Sequence, residues 1–294
     1  MRSAPNFGDK TEIAVLDGAA SLDYARHWIE QIGLSTSREI TGDTRVVIRA
    51  GEVGREDRDS DLTDPFVRID VWDFQVGRKG TGVQASAVSG VSWVLGHADA
   101  PPLVLPADIP EKWCGLFAAT LAMTALIEIE LAGEPVARKF DVSAADVLRA
   151  FADQNAGNHA EVEAGWRRNG STAVEHGGIY PQGFFECADG HVAIVGRARK
   201  DWKAIREVIG WPDWASEPRF DDPFAITEDT SEVDVLLTKS LKEYTRDELL
   251  ERALAAGATV APVYHPEEIS SRQIVRPDFF GADGKPSLPF RISG

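Results

Sequence analysis

In the N-terminal part of the chain, short apolar runs take turns with segments whose apolar residues have the spacing of a helix. The runs EIAVL at 12–16 and RVVIRA at 45–50 predict buried strands. Between them, Ser21 can cap a helix whose apolar residues recur at three- and four-residue spacing up to Gly33. This order of strand, turn and helix predicts the opening of an α/β domain.

A second group of elements is organised around residues 101–131, PPLVLPADIPEKWCGLFAATLAMTALIEIEL. From about Ile109 this stretch is apolar on nearly every side of a helix, and such a helix is expected to be buried. We expect it to be too charged at its ends, and too short of uninterrupted apolar residues, to span a membrane. Strands are predicted on either side of it, at 66–74 and 136–142, and Ser143 begins a further helix.

Asp108 lies where the extended, proline-rich approach meets the start of this central helix, and its position has two interpretations. It is a good N-cap residue, and Glu111 three residues later completes a capping box. Alternatively, it is a carboxylate nucleophile, because helix-start donors favour the ionised form that covalent carboxylate catalysis needs. The local sequence leaves both interpretations open.

The C-terminal half predicts a second, smaller α/β domain. GFFECADGHVAIVG is a hairpin with Asp189-Gly190 at its turn, and Thr245 with Glu248 forms a capping box for a helix that stops at Gly257. Val260–Tyr264 contains Pro262, which predicts an edge strand. The predicted organisation is a large domain at 11–154, a linker at 155–175, a small domain at 176–280 and the start of a return segment at 281–294.

Composition narrows the classes of function. The net charge of −16 over 294 residues argues against a nucleic-acid partner or an anionic membrane surface. The two cysteines, Cys114 and Cys187, have no metal or redox spacing, and the six histidines form no ligand cluster, so we predict no metal site. Without a recognisable signal peptide, the sequence predicts a cytoplasmic protein.

Several stretches resemble one family in their order and spacing. CADGHVAIV, DWKAIREVIG, EPRF, YTRDELLERALAAGATVAPVYHPEEI and QIVRPDFF closely resemble the small domain of the family III CoA transferases. EIAVLDGAASLDYARHWIEQIG, the segment from Ser86 to Glu128 and FDVSAADVL resemble its large domain. The resemblance implies a Rossmann-like large domain, a small α/β domain and two subunits threaded through each other as interlocked rings.

The resemblance also implies a mechanism. The family nucleophile is an aspartate just before the central helix, a position that falls on Asp108. It attacks an acyl-CoA thioester and passes through a mixed anhydride and an aspartyl-CoA thioester, so that coenzyme A is a substrate and a carboxylic acid is the acceptor. Arg49, Arg78 and Lys79 are predicted to supply positive charge for the CoA phosphates, with Ser21 as a donor, or else to be ordinary surface residues.

Departures from the family pattern keep other functions open. Bulky residues at 109–114 follow the aspartate, most of the family segment between the first helix and the 45–50 strand is missing, and the sequence ends at LPFRISG. These features favour a non-catalytic or degenerate subunit, within a homodimer or a heteromer with a related subunit. An acyl-CoA racemase is the weakest alternative, because Thr81 occupies the expected histidine-base position and His97 follows it.

Overall fold

The protein was analysed as a computed structural model that describes residues 12–54, 67–97, 99–106, 108–132, 137–157, 179–272, 275–281 and 286–287. The chain divides into two compact units. The first comprises 1–95, 102–165 and 278–294, and the second comprises 96–101 and 166–277. The predicted linker at 155–175 and the return segment at 281–294 lie mostly outside the described residues.

The first unit is built on a five-stranded parallel sheet. Its strands are β1 (Ile13–Val15), β2 (Thr36–Ser37), β3 (Val46–Ala50), β4 (Val67–Trp72) and β5 (Arg138–Ser143). They are ordered β2-β1-β3-β4-β5, with every neighbouring pair parallel. This sheet confirms the predicted α/β class. The two-residue strand β2 was not predicted, because so short a segment has no detectable period.

Helices connect the strands of this sheet and cover one of its faces. They are α1 (Ala20–Gln31), α2 (Gly82–Val88), α3 (Val91–Val94), α4 (Ile109–Ala132) and α5 (Ala144–Gly157). The two longest connections run through α1, between β1 and β2, and through α4, between β4 and β5. α1 and α4 lie side by side and pack on the central strands.

The two faces of the sheet differ in chemistry because side chains alternate along each strand. Ile48 on β3 and Ile69 on β4 belong to the apolar core beneath the helices. The opposite face carries Arg49, Arg68 and Asp70, the last two almost completely buried. Asp70 therefore sits among cations, with Arg49 Nε at 2.7 Å and Arg68 Nε at 3.3 Å.

The central helix α4 differs from its prediction in which residues it buries. Its inward face is made of small side chains, and Cys114, Ala118 and Ala122 have no solvent exposure. Several of its large residues face outward, with Leu116 at 41 % and Ile127 at 44 % exposure, whereas Leu126 and Ile129 are buried near its C-terminal end. The expectation of a wholly buried helix is therefore wrong, because α4 packs on the core mainly through small residues and leaves several bulky ones exposed.

The expectation that α4 falls short of a membrane span is also corrected. By length and composition alone, Ile109–Leu131 could cross a membrane. In its 18-residue apolar window, 44 % is nevertheless buried inside the first unit, and a single helix of this kind is weak evidence for a membrane span.

The second unit is a smaller α/β body, as predicted. Its antiparallel sheet has the order β6-β7-β8, formed by β6 (Ile179–Cys187), β7 (Gly190–Gly196) and β8 (Val260–Val263). The helices are α6 (Arg199–Val208), α7 (Pro223–Ile226), α8 (Ser231–Leu241), α9 (Arg246–Ala256) and α10 (Pro266–Ser271). The hairpin and the edge strand β8 are confirmed.

Local signals in this unit were reliable because they act over a few residues. Thr245 and Glu248 form the predicted capping box of α9, and Gly257 ends that helix in the left-handed conformation. Arg246 then joins distant segments by bonding the Asp189 turn of the hairpin and the Glu268 carboxylate of α10.

The closest approach of α1 to α4 yields a first prediction. A Cβ added to Gly115 would collide with the Ser21 carbonyl oxygen and lie 2.8 Å from Tyr24 Cβ and 2.9 Å from the Ala25 nitrogen. Gly115→Ala should therefore lower the free energy of unfolding by roughly 1–3 kcal/mol, since overpacking outweighs the ~1 kcal/mol helix-propensity gain. Denaturant unfolding measures this change.

The matched control for that variant is Gly42→Ala. A Cβ there meets nothing within 4 Å and no positive φ is imposed. This control should change the free energy of unfolding by about 0.5 kcal/mol or less. A more stable Gly115→Ala protein would contradict the close helix contact.

Candidate active site

The candidate site lies where α4 begins, beside α1 and α2. Parallel α/β sheets bind ligands beyond the carboxyl ends of their strands. At this edge, β4 ends at Trp72 and leads through Asp73 into the loop that carries Arg78 and Lys79. Asp108 precedes α4, which runs back to β5.

Asp108 has an unusual backbone conformation for a residue at a helix start. Its φ is +70°, in the left-handed region that asparagine and aspartate enter more readily than most residues. Its carbonyl oxygen accepts the first helical bond of α4, from Lys112 N at 2.8 Å. Residues whose side chains cap a helix usually have extended dihedrals, so this conformation favours the nucleophile interpretation of Asp108 over the capping one.

Glu111 has a different partner from the one predicted. Instead of completing a capping box with Asp108, its Oε1 accepts a hydrogen bond of 2.7 Å from Gly82 N, the first residue of α2. A Cβ at Gly82 would collide with the same carboxylate. Glu111 therefore fastens the first turn of α4 to the start of α2, and the exposed Asp108 carboxylate is not used in a capping box.

Tyr24 on α1 is a further polar group that interacts with Asp108, and it was not singled out from the sequence. The Lys112 ammonium lies 5.5 Å from the centre of its half-buried ring, which places the ring over the first turn of α4. Burial, followed by the charge and hydrogen bonding of Asp108, raises the pKa of Tyr24. Glu111 and Asp23 add smaller effects in the same direction.

Ser21 is not the N-cap predicted for α1. That position belongs to Ala19, and Ser21 is completely buried as the second residue of the helix. Its Oγ donates to Asp73 Oδ1, while the Asp73 carboxylate accepts from Ala20 N at 2.8 Å and Ser21 N at 3.2 Å. Asp73 thus accepts hydrogen bonds from the first backbone N–H groups of α1. Because the Ser21 hydroxyl donates its proton to Asp73, that proton is not available to a ligand.

An open cavity of about 560 Å³ adjoins the start of α1. Three of its lining side chains are carboxylates, Asp17, Asp23 and Asp73, against a single cation, Arg38, which is itself paired with Asp17. The positive end of a helix usually suits a phosphate, but here a carboxylate already occupies it. The electrostatics therefore disfavour a CoA phosphate at this helix start.

The three cations predicted to hold CoA phosphates have different surroundings. Arg49 lies within β3 and is paired with the buried Asp70 at 2.7 Å, so its charge is locally compensated. Arg78 and Lys79 are exposed in the loop between β4 and α2. Within the described part of the chain, neither forms a salt bridge, and both could therefore meet a ligand from solvent.

The cysteines have the character of packing residues. Cys114 is fully buried, and burial raises the pKa of its thiol to about 12, so at neutral pH it is not a thiolate. Burial also raises the pKa of Cys187. Among the described residues, no group of three or more histidine, cysteine or carboxylate side chains could hold a metal ion.

Sequence reasoning missed Tyr24 and Asp73 because their partners are distant along the chain. Asp73 serves a helix that begins 53 residues earlier. The one available signal for Tyr24 was Gly115, since a glycine inside a helix often marks the close approach of another backbone. It did not reveal which helix approaches.

Curated proteins with similar sequences are CoA transferases. A probable CoA-transferase of Mycobacterium tuberculosis is 26 % identical over 185 residues, covering 62 % of this chain and 23 % of the relative. A succinyl-CoA:mesaconate CoA-transferase of Haloarcula marismortui is 26 % identical over 141 residues, covering 48 % of this chain and 34 % of the relative. A succinyl-CoA–D-citramalate CoA-transferase of Chloroflexus aurantiacus is 23 % identical over 195 residues, covering 66 % of this chain and 47 % of the relative. The chain thus spans between about a quarter and a half of these relatives.

Solved structures share the fold. A CaiB/BaiF family protein from Brucella suis superposes with a TM-score of 0.79 at 15 % identity, covering 97 % of this chain and 92 % of the other. A hypothetical protein from M. tuberculosis gives 0.77 at 15 % identity, with coverage of 97 % and 93 %. The model of CoA-transferase family III matches residues 74–282, which include Asp108 and the second unit. The chain belongs to CoA-transferase family III.

Proposed function

We propose that this protein moves CoA from an acyl-CoA to a carboxylic acid through a covalent intermediate on Asp108. The observation that carries the proposal is the exposed carboxylate of Asp108, which precedes α4 but does not cap it. The family match includes this residue. A carboxylate free of a capping bond keeps its lone pairs for attack on a thioester.

The proposed reaction conserves the energy of the thioester. An Asp108 oxygen bonds to the acyl carbonyl carbon, the C–S bond breaks, and CoA leaves as a thiolate from a mixed anhydride. The thiolate attacks the aspartyl carbonyl carbon and releases the donor carboxylate, leaving an aspartyl-CoA thioester. The acceptor carboxylate then attacks that thioester, and the returning thiolate attacks the acceptor acyl carbon, which releases acyl-CoA and restores Asp108.

Succinyl-CoA is the proposed first donor to test, with mesaconate or citramalate as acceptors. Two relatives are named for transfers between these compounds. Arg78 and Lys79 supply accessible positive charge for a ligand that carries phosphates. Arg49 belongs to the compensated cluster around Asp70 and has no part in the proposed phosphate site.

We also propose a homodimer in which the exposed face of α4 meets a second copy. Leu116, Ile127 and Leu131 are 41 %, 44 % and 67 % exposed on this face. Thr120 and Thr124 between them bond back to carbonyls of their own helix, so the face presents little unsatisfied polarity. Two copies with a charge of −16 each repel, which favours contact through an uncharged apolar surface.

The nucleophile is tested by Asp108→Asn. Asparagine suits the left-handed backbone and is isosteric, so the free energy of unfolding should change by about 0.5 kcal/mol or less. CoA transfer from succinyl-CoA should fall by roughly 10⁴-fold or more, because an amide does not form the anhydride. Intact-protein mass spectrometry should show an adduct on the wild type alone.

Two further variants separate nucleophile from structure. Asp43→Asn alters another exposed aspartate of the first unit and should leave transfer unchanged. Asp108→Ala should lose transfer and about 1–2 kcal/mol of stability through the left-handed backbone. Near-normal transfer by Asp108→Asn places the nucleophile elsewhere. A wild type without adduct or transfer across a panel of acyl-CoAs supports the non-catalytic subunit.

The phosphate assignment is tested by the double charge reversal Arg78→Glu, Lys79→Glu. Each exposed contact contributes up to ~1 kcal/mol, so CoA affinity at low salt should fall by about tenfold or more. Calorimetric titration with CoA measures the affinity. The matched reversal Lys200→Glu, Lys203→Glu changes two exposed lysines of α6 and should have little effect. Equal affinity in both variants refutes the assignment.

The dimer is tested by sedimentation equilibrium of the wild type and of Ile127→Asp. The wild type should sediment as a dimer at micromolar concentration, and a buried carboxylate should shift Ile127→Asp towards monomer. Leu254→Asp is the matched control, because Leu254 is a 74 % exposed leucine on α9 of the second unit. A stable, folded wild-type monomer contradicts the proposed assembly.

A further inference from the structure

The environment of Tyr24 is built by the closest contact between two helices. At Gly115, the α1 backbone approaches α4 so closely that an added Cβ would lie 2.8 Å from Tyr24 Cβ. The glycine is buried, so the neighbouring side chain has little freedom to withdraw. The base of the Tyr24 side chain is therefore held against the second turn of α4.

From this fixed base the ring extends towards the start of α4. Lys112 Nζ lies 5.5 Å from the ring centre, within the range of a cation–π contact. Lys112 is also the residue whose backbone N–H closes the first helical turn on the Asp108 carbonyl. The ring thus lies over the turn that Asp108 begins.

The charges facing Tyr24 are mostly negative. Asp108, Glu111 and Asp23 all disfavour its phenolate, while Lys112 lies over the ring. With burial as the largest cause, they raise the pKa of Tyr24 above its ordinary value near 10. The phenol therefore keeps its proton through the neutral range and is a permanent hydrogen-bond donor.

We propose that Tyr24 is a positioning residue for Asp108, its phenol donating a hydrogen bond to the Asp108 carboxylate and then to the acylated aspartyl carbonyl oxygen. This inference rests on the proposed function of Asp108. The family match begins at residue 74 and assigns Tyr24 no role.

The same hydroxyl serves both states of the aspartate. Before acylation, it holds one carboxylate oxygen and leaves the other for attack on the thioester carbon. In the mixed anhydride, it polarises the aspartyl carbonyl as the CoA thiolate forms the new C–S bond and the donor carboxylate leaves. The proton of Tyr24 is not transferred, and the bond strengthens as the carbonyl oxygen gains charge.

Tyr264 provides a matched control in the second unit. Its hydroxyl donates to Asp247 Oδ1 at 2.9 Å, and burial with this hydrogen bond raises the pKa of Tyr264. The second unit thus contains a similar phenol–carboxylate pair with no proposed part in the reaction. Tyr264→Phe removes the same kind of hydrogen bond as Tyr24→Phe.

The first arm of the experiment measures the coupling without any substrate. Carbon NMR of full-length protein labelled at tyrosine Cζ follows each phenol against pH, and Tyr24→Phe assigns the Tyr24 signal. The Tyr24 pKa should fall in Asp108→Asn, because the negative charge that disfavours the phenolate is removed. Asp23→Asn removes a smaller electrostatic contribution and should lower the Tyr24 pKa less than Asp108→Asn does. An unchanged Tyr24 pKa in Asp108→Asn overturns the contact.

The second arm measures catalysis with succinyl-CoA and mesaconate. Tyr24→Phe should lower kcat by about tenfold to a hundredfold, with KM for succinyl-CoA within about twofold, whereas Tyr264→Phe should match the wild type. Equal kcat for Tyr24→Phe and wild type overturns the positioning role.

Failure of this inference and failure of the proposed function give different results. If the Tyr24 pKa falls in Asp108→Asn but the wild type forms no aspartyl adduct, the proposed function of Asp108 is refuted, and the positioning role of Tyr24 with it. Transfer that depends on Asp108 without coupling to Tyr24 would refute only the inference about Tyr24. A Tyr24→Phe variant that has lost stability as well as kcat is compared with Gly115→Ala, which disturbs the same helix contact and keeps the phenol.

Discussion

The approach of α1 to α4 at Gly115 is the constraint on which the candidate site depends. The Ser21 carbonyl and the Tyr24 and Ala25 atoms occupy the space that a side chain at residue 115 would need. Small residues continue this contact along α4, where Ala118 and Ala122 are fully buried. Because both helices also pack on the sheet, the start of α4 is held in a defined place relative to Tyr24.

Long-range carboxylates stabilise the rest of this region. Asp73 satisfies the first N–H groups of α1, and Glu111 satisfies the first N–H group of α2. Each bond spans elements that are far apart in sequence, so the helix starts are tied to the end of β4 and to α4. The start of α2 has its own capping box of Thr81 and Gln84 in addition. The same arrangement uses the anion-binding position of α1 for a residue of the protein. Of the three cations predicted to bind CoA phosphates, Arg78 and Lys79 are the exposed ones.

The sequence was informative for most strands and for the local signals of the second unit, but not for the starts of α1 and α4, where long-range bonds replace the predicted caps. A short apolar run predicted β3, alternation predicted β4, and the Asp189-Gly190 turn predicted the β6–β7 hairpin. The Thr245 capping box predicted the start of α9. The sequence was misleading for α4, because an all-apolar composition does not say that the small residues face inward and Leu116 or Ile127 outward. The short strand β2 and the pairing of Arg49 with Asp70 could not be predicted from the sequence, since both depend on which strands become neighbours.

The left-handed conformation of Asp108 answers the question that its sequence position raised. A carboxylate that capped α4 would have its lone pairs directed at backbone N–H groups, and acylation would break those bonds in every turnover. With φ at +70°, the carbonyl of Asp108 still begins the helix, while the side chain is not in the geometry of a cap. In the proposed function, the start of the helix and the reactive carboxylate are therefore served by different groups of one residue. Strained backbone conformations occur at functional sites when the surrounding structure determines them. Here the surroundings are the Glu111–Gly82 bond and the Gly115 contact, which hold the first turn of α4 from two sides.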